Sequence, residues 1–343
     1  MKTIVFFNNK GGVGKTTLSC HIASFMSINY GQKVLFIDAD PQCNATQLIC
    51  SDDLCESIYS LGATTRTTLL DSLRLIEAGD SGIYADIDPI SKDENSFEVD
   101  LIAGHPRLSV FEDRLSMAWN SHTNGELGGT RITNWLGTLI GHFKDNYSIA
   151  VVDIGPSLGA LNRSVILACD YFITPLGCDI FSLIGIKNIA EWIASWTDDY
   201  ENGIVRLKKK TDWEMISKYP VIYDTAHKYN WAGYSIQQYV TKVFKEGRRP
   251  VKAYDTIMKE IPETITEALK FLTADEINRN NLELAHVPYL YSLVPLSQSA
   301  HKPIFALKKA DGIGGSQFNQ ASEYSKIMEN VCNKIFINIG LRL

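Results

Sequence analysis

The sequence lacks both cysteine pairs spaced for a metal and long apolar runs. Its seven cysteines form no C-x-x-C motif and no metal-like spacing, which fits reduced, mostly buried thiols of a cytoplasmic protein. The longest apolar segment, residues 165–186, is interrupted by Asp170, Pro175 and Asp179, so it does not predict a membrane span. The apolar stretch near the start, residues 4–7, is too short for the core of a signal peptide. We therefore expect a soluble cytoplasmic protein.

The chain also lacks a strong charge of one sign. A net charge of −6 and an isoelectric point near 5.7 give no whole-chain signal for a polyanionic partner. The charge is unevenly placed, because residues 51–100 hold twelve acidic and three basic side chains, whereas residues 201–260 hold twelve basic and seven acidic ones. The second segment could therefore face phosphates although the whole chain is acidic.

Short apolar runs alternate with helical spacing along the chain. Runs typical of buried parallel strands lie at 3–7, 33–38, 97–104, 147–157 and 169–177, with further candidates at 219–224 and 286–295. This alternation indicates an α/β fold, a mainly parallel sheet with helices on both faces. We expect a single domain over residues 1–343, in which 187–285 is a mainly helical elaboration. The last residues, 335–343, alternate with period two and suit a strand.

The stretch N-N-K-G-G-V-G-K-T-T-L, residues 8–18, is the strongest functional signal. An ordered glycine costs backbone entropy, so the glycine cluster indicates that bare backbone is needed here. The stretch follows a predicted strand and opens a predicted helix, which is the context of a phosphate-binding loop. In such a loop the glycine amides and the helix N-terminus face phosphate oxygens. Lys15 then reaches the β- and γ-phosphates, and the Thr16 hydroxyl is placed to bind Mg²⁺.

Acidic residues end two further predicted strands. Asp38 and Asp40, two residues apart in V-L-F-I-D-A-D-P-Q, can project to the same side of the chain. Paired carboxylates beside a triphosphate would repel it unless they organise a metal or a water molecule. Asp153, at the end of S-I-A-V-V-D, is arranged like a carboxylate that holds Mg²⁺ through water.

The string K-G-G-V-G-K-T-T resembles the deviant Walker A loop of the ParA/MinD family of P-loop ATPases. D-A-D-P-Q-C-N is similar to that family's D-x-D-P-Q-x-N motif, and D-I-G-P-S resembles its D-x-P-P-S motif, with Gly155 in place of the first proline. The resemblance implies the three-layer sandwich of P-loop NTPases, a Mg²⁺-dependent ATPase with ATP and Mg²⁺ as cofactors, and an ATP-dependent homodimer. It also implies slow hydrolysis until a partner completes the site.

The resemblance also implies roles for individual residues. Lys10 would cross to the partner subunit's phosphates, and Asp40 would take the place of the water-activating aspartate. Catalytic candidates are thus Lys10, Lys15 and Asp40, and metal candidates are Thr16, Asp38 and Asp153. The expected nucleotide contacts are Lys10, Gly11, Gly12, Val13, Gly14, Lys15, Thr16 and Thr17. For the adenine base, position alone suggests Tyr223 and Pro288.

Several uses of such an ATPase stay open. The first is DNA partition, in which the ATP-bound dimer binds DNA without sequence preference, associates with the nucleoid and is stimulated by a centromere-binding protein. Its candidate DNA contacts are Lys208, Lys209, Lys210, Lys245, Arg248 and Arg249. No helix-turn-helix segment precedes the loop, so specific operator binding is not expected.

The second use is a positioning or regulatory ATPase for a non-DNA assembly in secretion, synthesis or defence, with 187–285 as its docking surface. A MinD-like membrane cycler would need a basic amphipathic helix, which the period-two C-terminal pattern does not favour. An iron–sulfur enzyme of the same fold would need Cys169 and Cys178, whose surroundings look like a strand and a switch segment instead.

Overall fold

A computed structural model describes residues 1–60, 66–239, 241–244, 247–250 and 252–341. Within them, the strands are β1 (Lys2–Phe6), β2 (Val34–Asp38), β3 (Asp100–Ile102), β4 (Ile149–Asp153), β5 (Tyr171–Gly177), β6 (Asn230–Tyr239), β7 (Thr241–Phe244), β8 (Gly247–Pro250) and β9 (Glu283–Pro288). Seven of them form one sheet in the order β3-β2-β4-β1-β5-β6-β9, and β7 pairs with β8 as an antiparallel hairpin. Every pairing in the seven-stranded sheet is parallel. The expected α/β fold is confirmed.

The described part of the chain also contains fourteen α-helices. They are α1 (Lys15–Tyr30), α2 (Asn44–Ile49), α3 (Asp52–Tyr59), α4 (Leu69–Ser72), α5 (Arg74–Glu77), α6 (Phe111–Thr123), α7 (Leu127–Thr133), α8 (Trp135–Phe143), α9 (Ala160–Ala168), α10 (Ile180–Lys210), α11 (Trp213–Ile216), α12 (Lys252–Leu269), α13 (Leu293–Ala300) and α14 (Ser316–Asn338). None of the helices described combines the length and hydropathy needed to cross a membrane.

The sheet is the middle layer of three, with helices packed on both of its faces. Successive side chains of a strand point to opposite faces, so each strand contributes to both. In β1, Ile4 and Phe6 join a buried cluster with residues of α1, α2 and α14. Val5 and the following Phe7 join the other buried cluster, with residues of α6, α8, α9 and α10. A sheet buried on both faces explains why these strands read as continuous apolar runs.

The register of the central strands positions the candidate site. Phe6 of β1 pairs with Asp153 of β4, and Asp38 of β2 pairs with the same Asp153 on its other side. Since parallel strands end at one edge of the sheet, the loop after β1 and the acidic ends of β2 and β4 meet there. This edge is where open α/β sheets place their ligands.

Two sequence-based predictions of secondary structure are wrong. Residues 219–224 form no strand, because the amide of Ile222 bonds to the side-chain oxygen of Asn134 at 3.1 Å instead of to a neighbouring strand. The predicted C-terminal strand is helical through Asn338, since Ile335 and Ile339 are buried one helical turn apart while Ile337 is 59% exposed. The region 187–285, for which we expect a mainly helical elaboration, is helical at 187–210 and at Lys252–Leu269, and it also contains the internal strand β6, the β7–β8 hairpin and the start of β9.

Candidate nucleotide-binding site

The loop between β1 and α1 has the backbone that its glycines predict. Gly12 and Gly14 adopt φ angles of 73° and 77°, a left-handed conformation that side chains with a Cβ rarely take. Gly14 is the N-cap of α1, and its carbonyl accepts the amide of Leu18 at 2.9 Å. The amides of the first turn, from Lys15 onward, precede any helical acceptor and are therefore available to an anion.

Lys15 is held inside this loop. Its ammonium donates to the backbone carbonyl of Lys10 at 3.1 Å, and the residue is only 7% exposed. Burial lowers the pKa of Lys15, although the charges of Asp153 and Asp40 oppose that shift. A cation that burial deprives of water gains from an anionic partner such as a phosphate.

Asp153 lies at the foot of the loop and is fully buried. Its two carboxylate oxygens accept the hydroxyls of Thr16 at 2.7 Å and Ser19 at 3.0 Å. Burial, reinforced by the charge of Asp38, raises the pKa of Asp153 to about 7. The site therefore favours either a proton or a cation beside this carboxylate.

The donor set at Asp153 fits Mg²⁺. In the described residues no three His, Cys, Asp or Glu side chains converge as a metal cage. A hydroxyl and one carboxylate nevertheless match the way proteins hold Mg²⁺, which takes its other ligands from water and phosphate. Thr16 and Asp153 are the residues that would hold this ion, and it would neutralise charge developing on the phosphates.

Asp38 is bound into the protein on both oxygens. One accepts the amide of Thr46 at 2.8 Å and its hydroxyl at 2.6 Å, and the other accepts the amide of Asp40 at 3.2 Å. Burial raises the pKa of Asp38 to about 6, even though the hydrogen bonds from Thr46 lower it. These contacts connect the end of β2 to α2, so Asp38 orders the loop that carries Asp40.

Asp40 faces the turn after β4. One of its carboxylate oxygens accepts the amide of Gln42 at 2.9 Å, and a Cβ added to Gly155 would lie 3.1 Å from that same oxygen. The glycine that replaces the family's proline therefore makes room for the Asp40 carboxylate. Asn162 holds the turn in its place, because its side-chain amide donates to the carbonyls of Gly155 at 2.7 Å and Ser157 at 2.8 Å.

The Lys10 side chain is paired with a residue outside the glycine loop. Its ammonium forms an ion pair with Asp179, the residue that caps the N-terminus of α10. Burial opposes the ionisation of Asp179, but the hydrogen bond and charge of Lys10 hold the pKa of that carboxyl below its usual range. Both side chains are about one third exposed, at 35% and 36%, so the pair lies at the surface.

A cavity of about 930 Å³ opens on the loop. Its walls include residues of the loop, namely Gly11, Gly12, Gly14, Lys15, Thr16 and Thr17, together with Asp40 and residues of α2 and α13. Val13, also an expected nucleotide contact, is buried and does not line it. A second cavity of about 220 Å³ shares Gly14 and Thr17 and is lined by Gln237, Pro288, Tyr289 and Tyr291. Pro288 thus lies where a base attached to the phosphates could reach.

Tyr223, the other candidate for the adenine base, lies elsewhere. Its hydroxyl donates to the carbonyl of Ile216, and its ring packs edge-on against Trp213 with centroids 5.0 Å apart. It lines neither of the two cavities at the loop. Of these two candidates, Pro288 lines a cavity beside the loop and Tyr223 does not.

The predicted DNA contacts fall in two places. Lys208–Lys210 form the last turn of α10, where Lys210 donates to the carbonyl of Asn124 at 2.7 Å and the Lys208 ammonium lies 5.3 Å from the centre of the Trp213 ring. Arg248 and Arg249 lie in β8, and Lys245 falls outside the described residues.

Sequence reasoning missed four polar residues of the site, namely Ser19, Thr46, Asn162 and Asp179. Thr46 lies two residues after the D-A-D-P-Q-C-N motif, but only the fold shows that it binds Asp38. Asp179 carries a usable signal, since an aspartate directly before a helical pattern predicts an N-cap. Its ion pair with Lys10 joins residues 169 positions apart and leaves no trace in the local sequence.

Comparison with known proteins defines the class. A family model described as an AAA domain matches residues 1–205, more than half of the chain, so the chain belongs to that family. Protein IncC of Escherichia coli is 30% identical over 195 residues, which is 57% of this chain and 46% of that protein. The chromosome-partitioning ATPase Soj of Treponema pallidum is 28% identical over 198 residues, 56% of this chain and 63% of that protein. The chain therefore covers less than two thirds of these relatives.

Solved structures agree with this assignment. Protein DIP2308 of Corynebacterium diphtheriae superposes with a TM-score of 0.70 at 32% identity, covering 88% of this chain and 97% of that one. McdA of Cyanothece, solved in complex with ATP, has the same fold with a TM-score of 0.60 at 15% identity, covering 100% of this chain and 98% of that one. Within its family the chain is a P-loop ATPase of the ParA/MinD type.

Proposed function

We propose that the chain binds ATP with Mg²⁺ and cycles between a monomer and an ATP-bound homodimer that acts in DNA partition. The observation that carries the nucleotide part is the hydrogen bond between Thr16 and the buried Asp153 at the foot of a left-handed glycine loop that encloses Lys15. These residues supply a cation, free amides and an oxygen site for Mg²⁺, which together match a triphosphate. The ATP held by the McdA structure, which shares the fold, agrees with this proposal.

Each residue of the site has a defined task in this mechanism. Lys15 and the first amides of α1 bind the phosphates and neutralise charge in the transition state, and Thr16 and Asp153 are the residues that would hold a Mg²⁺ ion. Asp40, beside Gly155 at the cavity wall, orients the attacking water and accepts its proton. Asp38 holds the Asp40 loop through Thr46.

Lys10 supports the homodimer. It is absent from the lining of its own cavity, and its ammonium lies at the surface on Asp179. A lysine so placed can serve the nucleotide of a second subunit. Two such lysines offset the repulsion between two ATP-bearing faces.

The partition role rests on the basic segment and on relatives named for partitioning. Lys208–Lys210 end a 31-residue helix, and the β7–β8 hairpin pairs Lys242 with Arg249 in register. The exposed cations Lys208–Lys210 are of a kind that binds phosphates without reading bases. Two copies in one dimer would raise the affinity for DNA through avidity.

Binding to an unrelated DNA duplex tests the partition role. We expect fluorescence anisotropy to show binding with an ATP analogue and Mg²⁺, none with ADP or without nucleotide, and a steep loss between about 50 and 200 mM salt. A Lys208→Gln, Lys209→Gln and Lys210→Gln triple variant or an Arg248→Gln and Arg249→Gln double variant should weaken it. Lys326→Gln, an exposed basic residue on α14, is the charge control. Equal binding in all nucleotide states would contradict the proposal.

A second candidate, a positioning ATPase for a protein assembly, has one specific observation in its favour. Of the aromatic residues in 187–285, Trp196, Trp231 and Tyr234 are core residues, but Trp192 and Trp213 are 45% and 50% exposed. Exposed tryptophans suit a protein interface. Absence of DNA binding in every nucleotide state would favour this candidate.

A further inference from the structure

The first two turns of α10 carry an apolar surface. Ile180, Phe181 and Ile184 are 60%, 69% and 53% exposed. They lie at spacings of three and four residues, so their side chains share one face of the helix. Single exposed apolar residues are common, but three neighbours form a patch of the kind that marks an interaction site.

This patch is continuous with the phosphate loop. The Lys10 ammonium pairs with Asp179, the cap of the same helix, and lies 6.0 Å from the centre of the Phe181 ring. One turn further on, a Cβ added to Gly185 would lie 3.0 Å from the side-chain oxygen of Asn9, so α10 packs directly on the loop. The apolar patch and the lysine therefore form one surface.

We propose that Ile180, Phe181 and Ile184 form the contact face for a second copy of this chain, and that Asp179 holds Lys10 back until that copy arrives. This inference rests on the proposed ATP-dependent homodimer. A two-fold axis brings the same patch of each subunit together, so an apolar face meets an apolar face. The lysine at its edge then lies beside the other subunit, whose bound triphosphate supplies the opposite charge.

The Lys10–Asp179 ion pair is weak enough to be exchanged for a stronger one. An ion pair between side chains that are about one third exposed is weak, because water competes for both charges. A triphosphate offers several anionic oxygens and a stronger, charge-assisted bond. Exchange of Asp179 for the phosphates of the partner's nucleotide is therefore favourable once those phosphates lie close to the face.

Two variants should shift the dimer in opposite directions. Phe181→Ser removes apolar contact area and should raise the dimer dissociation constant by about tenfold or more, measured by sedimentation with a non-hydrolysable ATP analogue and Mg²⁺. Asp179→Asn keeps a good N-cap but removes the charge that holds Lys10, and should lower that constant by about two- to fivefold. Phe271→Ser, at a 54% exposed phenylalanine after α12, is the matched control and should leave it unchanged.

The outcomes separate this inference from the proposed function. A wild-type chain that binds the analogue, shown by calorimetry, and stays monomeric overturns the homodimer itself. A wild-type chain that dimerises, together with a Phe181→Ser variant that dimerises equally well, overturns the contact face alone. An Asp179→Asn variant that binds the analogue but dimerises less well than wild type overturns the restraint.

Discussion

Replacing Asp153 with asparagine should stabilise the nucleotide-free protein at high pH. Burial raises the pKa of this carboxyl from 3.8 to about 7, so the folded state binds its proton more tightly than the unfolded state does. The protonated Asp153 makes its full contribution to the free energy of unfolding below about pH 4, and this contribution is lost as the pH rises through about 7. The shift corresponds to roughly 4 kcal/mol for the fully ionised group.

The assay is urea unfolding of wild type and Asp153→Asn between pH 5 and 8, with a chelator and without nucleotide. The variant should be more stable by on the order of 2–4 kcal/mol at pH 8, because asparagine keeps one acceptor for Thr16 or Ser19 and carries no charge. The advantage should shrink steadily toward pH 5. Burial lowers the pKa of His21 and of His122 to about 4, which works in the opposite direction, but it acts equally in both proteins and cancels in the difference.

A control variant and the addition of nucleotide test this prediction further. Asp170→Asn removes the carboxylate that pairs with Lys228 at 2.6 Å and should destabilise the protein. An ATP analogue with Mg²⁺, added at one hundred times its dissociation constant for wild type, should stabilise wild type by about 2.7 kcal/mol. The same concentration should stabilise the Asp153→Asn variant much less, because the variant binds the analogue with Mg²⁺ more weakly. If the free energies of unfolding of wild type and the variant changed in parallel with pH, Asp153 would not have the raised pKa on which this prediction depends.

Three further substitutions test the loop and its surroundings. Lys15→Gln should weaken ATP binding by about a hundredfold, measured by calorimetry, because a buried charge-assisted bond to phosphate is lost; unchanged affinity would remove Lys15 from the site. Asp40→Ala should leave ATP binding intact, abolish hydrolysis and trap the dimer, and normal phosphate release would contradict its role with water. Gly155→Ala should slow hydrolysis by about tenfold or more at unchanged ATP affinity, since the new Cβ would lie 3.1 Å from the Asp40 carboxylate; a normal rate would show that this carboxylate can move without cost.

The sequence was sufficient to predict the sheet and the loop because both depend on local patterns. Strands buried on two faces are apolar almost throughout, and this pattern predicts β1, β2, β4 and β5. A loop that binds phosphate through its backbone must contain glycine, and its left-handed residues, Gly12 and Gly14, are indeed glycines.

What the sequence did not predict depends on contacts between distant segments. Ile335, Ile337 and Ile339 alternate like a strand, yet only the packing of α14 on the sheet shows that two of them are buried one helical turn apart. Strand β6 lies in a region of mixed pattern and forms only because β5 and β9 provide partners on both sides. The Lys10–Asp179 pair joins two loops at the carboxyl edge of the sheet and depends on the fold.

A crystal structure with a non-hydrolysable ATP analogue and Mg²⁺ tests the central claim most directly. We predict the triphosphate in the loop from Gly11 to Thr17, with Lys15 on its own nucleotide and Lys10 released from Asp179 to contact the nucleotide of the second subunit. An empty loop, or a closed pair of subunits in which Lys10 stays on Asp179, would contradict the account.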